Sequence, residues 1–147
     1  MNTTAVSSEH LDSAGSDGLA NTARALADLA GRTGLSAIFL LAGLNKIGAY
    51  EGTQAYMASA GLPGFLLPAV IALEVFGALL VIAGFQTRLV AVALAGFSVL
   101  SALFFHLDLA DQTQFIMFMK NFAMAGGFLV LAANGAGPWS LDARSGR

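Results

Sequence analysis

Four long apolar stretches, separated by short polar ones, set the pattern of this chain. The most informative covers residues 67–84: Leu-Pro-Ala-Val-Ile-Ala-Leu-Glu-Val-Phe-Gly-Ala-Leu-Leu-Val-Ile-Ala-Gly, apolar almost throughout with Glu74 as its one charged residue. About 20 apolar residues in a helix suffice to cross a bilayer. The pattern predicts spans at about residues 30–48, 65–84, 89–106 and 115–133. The first has a continuous apolar core of only residues 35–44, so it crosses only if Asn45 and Lys46 lie in its outer part and Lys46 is partnered or snorkels. Residues 22–31 read as a short interfacial helix leading into it. In the first loop, residues 49–64, Met57 and Ala60 suggest a short half-buried helix before the Gly61-Leu62-Pro63-Gly64 turn cluster. Residues 85–88 form a tight connection, which joins antiparallel neighbours. Residues 1–21, rich in Ser, Ala, Gly, Asn and Asp, read as a disordered tail without the basic start and apolar run of a secretory signal. Residues 135–147 read as a C-terminal tail, with Trp139 suited to the membrane interface. The transmembrane domain is thus residues 22–134.

Composition turns these helices into membrane helices. The chain of 147 residues is 56% hydrophobic and 11% charged, with mean hydropathy +0.72, whereas soluble domains are about 25% charged. A soluble domain this short lacks the interior to hide so many apolar side chains. The expected fold class is all-α: a polytopic membrane protein with a bundle of four transmembrane helices. No cysteine is present, which excludes disulfides and thiolate metal sites. His10 falls in the tail, leaving one useful histidine, so no metal site is expected. The net charge of −2 and the absence of a basic run argue against nucleic acid as a partner. Arg24, Arg32, Arg88, Arg144 and Arg147 fall on one side of the four-span arrangement, and Lys46 and Lys120 towards the other. The positive-inside rule then places both termini in the cytoplasm and the first and third loops outside. Ala91, Ala95, Ser98 and Ala102 recur at helical spacing and predict a helix-packing face. The two pairs of spans show no internal repeat.

Helical rise places the polar residues in depth. Lys46 lies fourteen residues beyond Arg32, Glu74 fourteen before Arg88, and Lys120 fourteen before Asn134. At 1.5 Å per residue each lies roughly 21 Å from its marker, at a common level in the outer half. His106 sits further out, and Asn45 and Asn121 flank the lysines. A lone charge near the bilayer centre costs roughly 2.5–3.5 kcal/mol, so these groups are expected to cluster. Two lysines against one glutamate leave a net positive site that could hold an anion, a polar head group or a quinone carbonyl. Alternatively the Glu74 pairing only fixes helix register. A proton pathway or small transporter is a third reading, weakened by the lack of a repeat or broken helix. Asp108 and Asp111 read as a solvated loop face, and Met117 and Met119 with Phe115, Phe118 and Phe122 as a lipid-facing or packing surface.

Several of these features, in order, resemble the DoxX family. They are Phe39, Gly43 and Lys46 on the first span, Gly61-Leu62-Pro63, Glu74 with Gly77 and Gly84, and Thr87-Arg88. Phe105-His106, Lys120-Asn121 with Gly126-Gly127, and the closing Gly137 with Ser140-Leu141-Asp142 follow. The resemblance covers about residues 31–142. It implies a four-helix, multi-pass protein of the bacterial inner membrane, and a link to redox chemistry. Founding members of the family are similar to subunits of a thiosulfate:quinone oxidoreductase, and others are associated with oxidative-stress assemblies. The resulting expectation is a redox-linked or quinone-interacting subunit with an outward-facing polar pocket. Lys46 and Lys120 would bind an anionic or carbonyl group, Glu74 would hold them, and His106 would exchange protons. A quinone is the candidate cofactor, with none bound covalently. The chain has no self-sufficient catalytic motif, so it is at most an oxidoreductase subunit. Its partners would be the lipid bilayer and a redox partner subunit or further copies of itself. The rival expectation is a non-catalytic scaffold or assembly partner that uses the Ala91, Ala95, Ser98, Ala102 face or its loops.

Overall fold

A computed structural model describes residues 3–146, with side chains from Gly18 onward. Most of the tail expected over residues 1–21 therefore lies outside the described side chains. The backbone from Thr3 runs directly into α1, Thr3–Gly48. No proline interrupts this segment, and its glycines weaken a helix without stopping it. The expected interfacial helix and first span are thus one continuous rod. Ala49 breaks it, and α2, Tyr50–Ser59, follows with Met57 buried. A 3-10 turn, Gly64–Leu66, leads into α3, Leu67–Ala83, whose Pro68 sits in the first turn, where a missing N–H costs nothing. After it come α4, Thr87–Phe105, α5, Gln112–Asn134, and the short α6, Leu141–Arg144. Among the described residues four helices are long and apolar enough to cross a membrane: Gly18–Gly48, Gly64–Ala83, Thr87–Phe105 and Gln112–Asn134. No strand occurs among them. The chain is an all-α, four-helix membrane bundle.

The four long helices pack in two pairs. α1 lies chiefly against α3, and α4 against α5, with a smaller α3–α4 contact joining the pairs. The core between them holds Phe39, Val81, Leu94 and Phe128, with Ala78, Ala91, Ala95 and Ala125 as small spacers. Phe39 meets Phe128 edge-on with ring centroids 5.3 Å apart, and Phe97 likewise at 6.2 Å. Ala91, Ala95, Ser98 and Ala102 are all buried on α4, and the Ser98 hydroxyl donates back to the Leu94 carbonyl at 2.8 Å. Large apolar side chains such as Phe76, Leu89, Ile116 and Val130 are exposed on the bundle exterior, where lipid is their solvent.

The residues after α5 are folded back as a strap. Arg32, buried in α1, donates to the Ala136 carbonyl at 2.7 Å and to that of Trp139. The Asp142 carboxylate accepts from the backbone N–H groups of Gln86 at 2.8 Å and Thr87 at 2.9 Å. It thereby satisfies donors that α4's first turn would otherwise leave open. The Asp142 N–H in turn donates to the Gly84 carbonyl at 2.8 Å. Gly84 closes α3 in the left-handed conformation, φ 68°, and a Cβ there would stand 2.6 Å from the Arg32 guanidinium. The segment expected as a polar tail is therefore a clamp on the α3–α4 turn. Asp142→Ala should lower stability by about 1.5–3 kcal/mol, the range for hydrogen bonds to a charged group. Thermal unfolding in detergent reads this directly. Unchanged unfolding would mean that the strap does not hold the turn.

Candidate functional site

At the other end of the bundle, α1 and α3 meet through glycine. A Cβ on Gly43 would lie 2.7 Å from the Val75 side chain and 3.1 Å from that of Glu74, so only glycine allows this approach. One turn further along α1, Lys46 reaches across. Its ammonium donates to Glu74 Oε1 at 2.8 Å, and the two form an ion pair. The Glu74 side chain is 4% exposed and that of Lys46 27%. Glu74 Oε2 is buried with no hydrogen-bond partner. A carboxylate in such surroundings depends on its single cation, because each ion taken out of water costs several kcal/mol unless it is compensated.

The pair stands between two cavities, and both residues line each of them. The larger, about 390 Å³, lies beneath α2 and the C-terminal end of α4. Its walls are mainly apolar, among them Met57, Leu62, Val70, Phe97 and Phe104, with Thr53, Tyr56, Ser101 and His106 as the polar groups besides the pair. Tyr56 stacks on Phe105 with centroids 5.0 Å apart and rings 21° from parallel, which ties α2 to α4 over this cavity. The smaller cavity, about 150 Å³, is bordered by Ser101, Lys120 and Asn121.

Of the residues singled out in the sequence, Lys46 and Glu74 touch directly. His106 lines the larger cavity, and its Nδ1 shares a 2.7 Å hydrogen bond with Gln114 Oε1. Lys120 borders the smaller cavity but donates to Met117 Sδ at 3.0 Å, not to Glu74. Asn121 is buried, and its amide donates to the Met117 carbonyl at 2.9 Å. Asn45 is exposed and lines neither cavity. Asp111, for its part, caps α5 by accepting from the Gln114 N–H at 2.8 Å. Sequence reasoning passed over Thr53, Tyr56, Phe97 and Ser101. The last two, with Phe105, repeat every fourth residue along α4, a spacing that marks one helix face.

A polytopic four-helix bundle with a largely buried ion pair bordered by two cavities defines a class of small integral membrane protein. The chain belongs to the DoxX family, whose model matches residues 27–107. That stretch holds Lys46, Glu74 and His106 and ends before α5. Among its relatives, Inner membrane protein YqjF of Escherichia coli is 49% identical over 105 residues, 71% of this chain and 81% of the relative. Inner membrane protein YphA of Escherichia coli is 38% identical over 129 residues, 83% of this chain and 92% of the relative. CatD of Bacillus subtilis, provisionally named an oxidoreductase, is 41% identical over 58 residues, 40% of this chain and 43% of the relative. No solved structure matches the chain. With four apolar spans and relatives named for the inner membrane, the chain is a multi-pass bacterial inner-membrane protein.

The geometry makes the pair testable as a unit. Lys46→Met alone or Glu74→Leu alone should cost roughly 3 kcal/mol, the lower end for breaking a buried pair, because Lys46 is partly exposed. The double variant should recover most of that loss. Additive losses in a thermal-unfolding cycle would show that the two side chains are energetically independent.

Proposed function

We propose that the Lys46–Glu74 layer binds the ring of a quinone-type carrier, so that the protein serves as a redox-linked subunit of the inner membrane. The observation that carries this reading is the cavity of about 390 Å³: apolar walls, with an ammonium at one end. Ligand cavities of roughly 300–1,000 Å³ with few polar groups suit small ring systems. Lys46 gives one N–H to Glu74 and has two more for a ligand oxygen. Phe97 and the Tyr56–Phe105 stack offer ring faces, and His106 a polar rim. A quinone supplies reversible two-electron, two-proton chemistry when bound. The chain's own residues supply position, a hydrogen-bond donor and exclusion of water. A partner subunit would then exchange electrons with the carrier. The provisional oxidoreductase name of the CatD relative leans the same way.

The arginines on the strap side and the lysines on the cavity side support a pocket facing outward, with both termini in the cytoplasm. An alkaline phosphatase fused after Ala60 should then be active in a Gram-negative host and inactive when fused after Gln86. The opposite pattern would invert the pocket. The scaffold reading loses its best surface, because Ala91, Ala95, Ser98 and Ala102 are buried within the chain itself. It would have to use the loops.

Calorimetric titration of the protein in nanodiscs with a short-chain benzoquinone tests the binding reading. Saturable binding is expected, weakened about tenfold or more by Lys46→Met, the loss of one hydrogen bond from a charged donor. Absence of saturable binding, or equal binding by Lys46→Met, would overturn it.

A further inference from the structure

Three features of the ion pair bear on which ligand form it accepts. Lys46 presents uncommitted N–H donors. The Glu74 carboxylate is held by that lysine alone and has one oxygen, Oε2, with no donor. Both residues border a large, mainly apolar cavity and a small one of mixed lining that includes Ser101, Lys120 and Asn121. Among the titratable groups around the pair, Tyr56 and His106 line the larger cavity and Lys120 the smaller.

A donor and an acceptor placed side by side match a hydroxyl better than a carbonyl. A carbonyl oxygen can only accept from Lys46 and leaves the carboxylate as it was. A hydroxyl can accept from Lys46 and give its hydrogen to Glu74.

We propose that the Lys46–Glu74 pair exchanges partners when a ring-borne acidic hydroxyl, the quinol or phenol class, enters the larger cavity. The ligand O–H bond breaks and its proton passes to the Glu74 carboxylate. The ligand oxyanion takes over the Lys46 ammonium. Before the exchange the layer holds one ammonium, one carboxylate and a neutral ligand. Afterwards it holds one ammonium, one oxyanion and a neutral carboxylic acid. No electron moves and the net charge is unchanged, so the step creates no unpaired charge in a medium where such a charge is costly. Glu74, which lines both cavities, then holds the proton. Lys120, at the border of the smaller cavity, is exposed.

This inference rests on the larger cavity being a ligand site, and the test separates the two. Parent protein in nanodiscs is mixed with 4-nitrophenol well below that probe's own pKa in water, with 4-nitroanisole as the partner that has no proton to give. Visible absorption reports the oxyanion, and a soluble pH dye reports protons released. In the parent, 4-nitrophenol should bind as the coloured oxyanion with no net proton release. 4-Nitroanisole should bind about tenfold more weakly, having lost a charge-assisted hydrogen bond. In Glu74→Gln the proton has no acceptor within the layer, so the coloured form should appear with a proton released for each probe bound. In Lys46→Met the colour should be lost.

If the probe binds the parent in its colourless form, or 4-nitroanisole binds as well, partner exchange is wrong and the ligand site stands. Equal proton release from parent and Glu74→Gln would also overturn the exchange. If neither probe binds, the ligand site itself is refuted.

Discussion

A carboxylate inside a bilayer must have a cation, and in this chain that requirement organises one whole end of the bundle. Glu74 sits in a helix that is otherwise apolar, and Lys46 ends the helix beside it. Their 2.8 Å contact fixes the depth of α1 against α3. Gly43, a turn before Lys46, exists as glycine at the point where α3 presses closest. Gly77, a turn after Glu74, leaves room for Leu94 from α4, whose Cδ2 would stand 3.3 Å from a Cβ there. The pair is therefore also the place where the two helix pairs come into register. It is unlike a purely structural bridge in one respect: it is bordered by open space on both sides, and one of its oxygens is unsatisfied.

The opposite end is held by a different device. Arg32 and Asp142 both bind backbone there, the arginine two carbonyls of the strap and the aspartate two N–H groups at the start of α4. In lipid, open backbone groups at helix ends are costly, and this arrangement closes several at once. One end of the bundle is thus capped through backbone groups, and the other is held by one ion pair. Cavities border both ends, about 270 and 410 Å³ beside the strap and Arg32 and about 390 and 150 Å³ beside Lys46 and Glu74.

Much of this was legible in the sequence. The spans follow from apolar runs that only lipid can accommodate, and the Lys46–Glu74 level follows from the fixed rise of a helix. Depth counting, however, carries no information about azimuth. Lys120 borders the layer, but its helix face brings the ammonium to Met117 Sδ. Asn45 shares the level but is exposed and lines neither cavity. The strap was invisible for a different reason. Its contacts run to the carbonyls of Ala136 and Trp139 and the N–H groups of Gln86 and Thr87, which every residue type possesses. Arg32 could be read only as a marker of orientation, and Asp142 only as part of a family motif. The cavity beneath α2 was hidden likewise, because its walls come from residues far apart in sequence, such as Tyr56 on α2 and Phe105 on α4.

The central claim is that the space beside Lys46 and Glu74 receives a ring. Photolabelling with an azido-benzoquinone in native membranes, followed by peptide mapping, addresses it directly. The account predicts labels confined to the walls of the larger cavity, on α2, on residues 97–105 of α4 and on His106, and displaced by excess unlabelled quinone. Labels spread over the lipid-facing residues of α3 and α5, and undiminished by competitor, would contradict it.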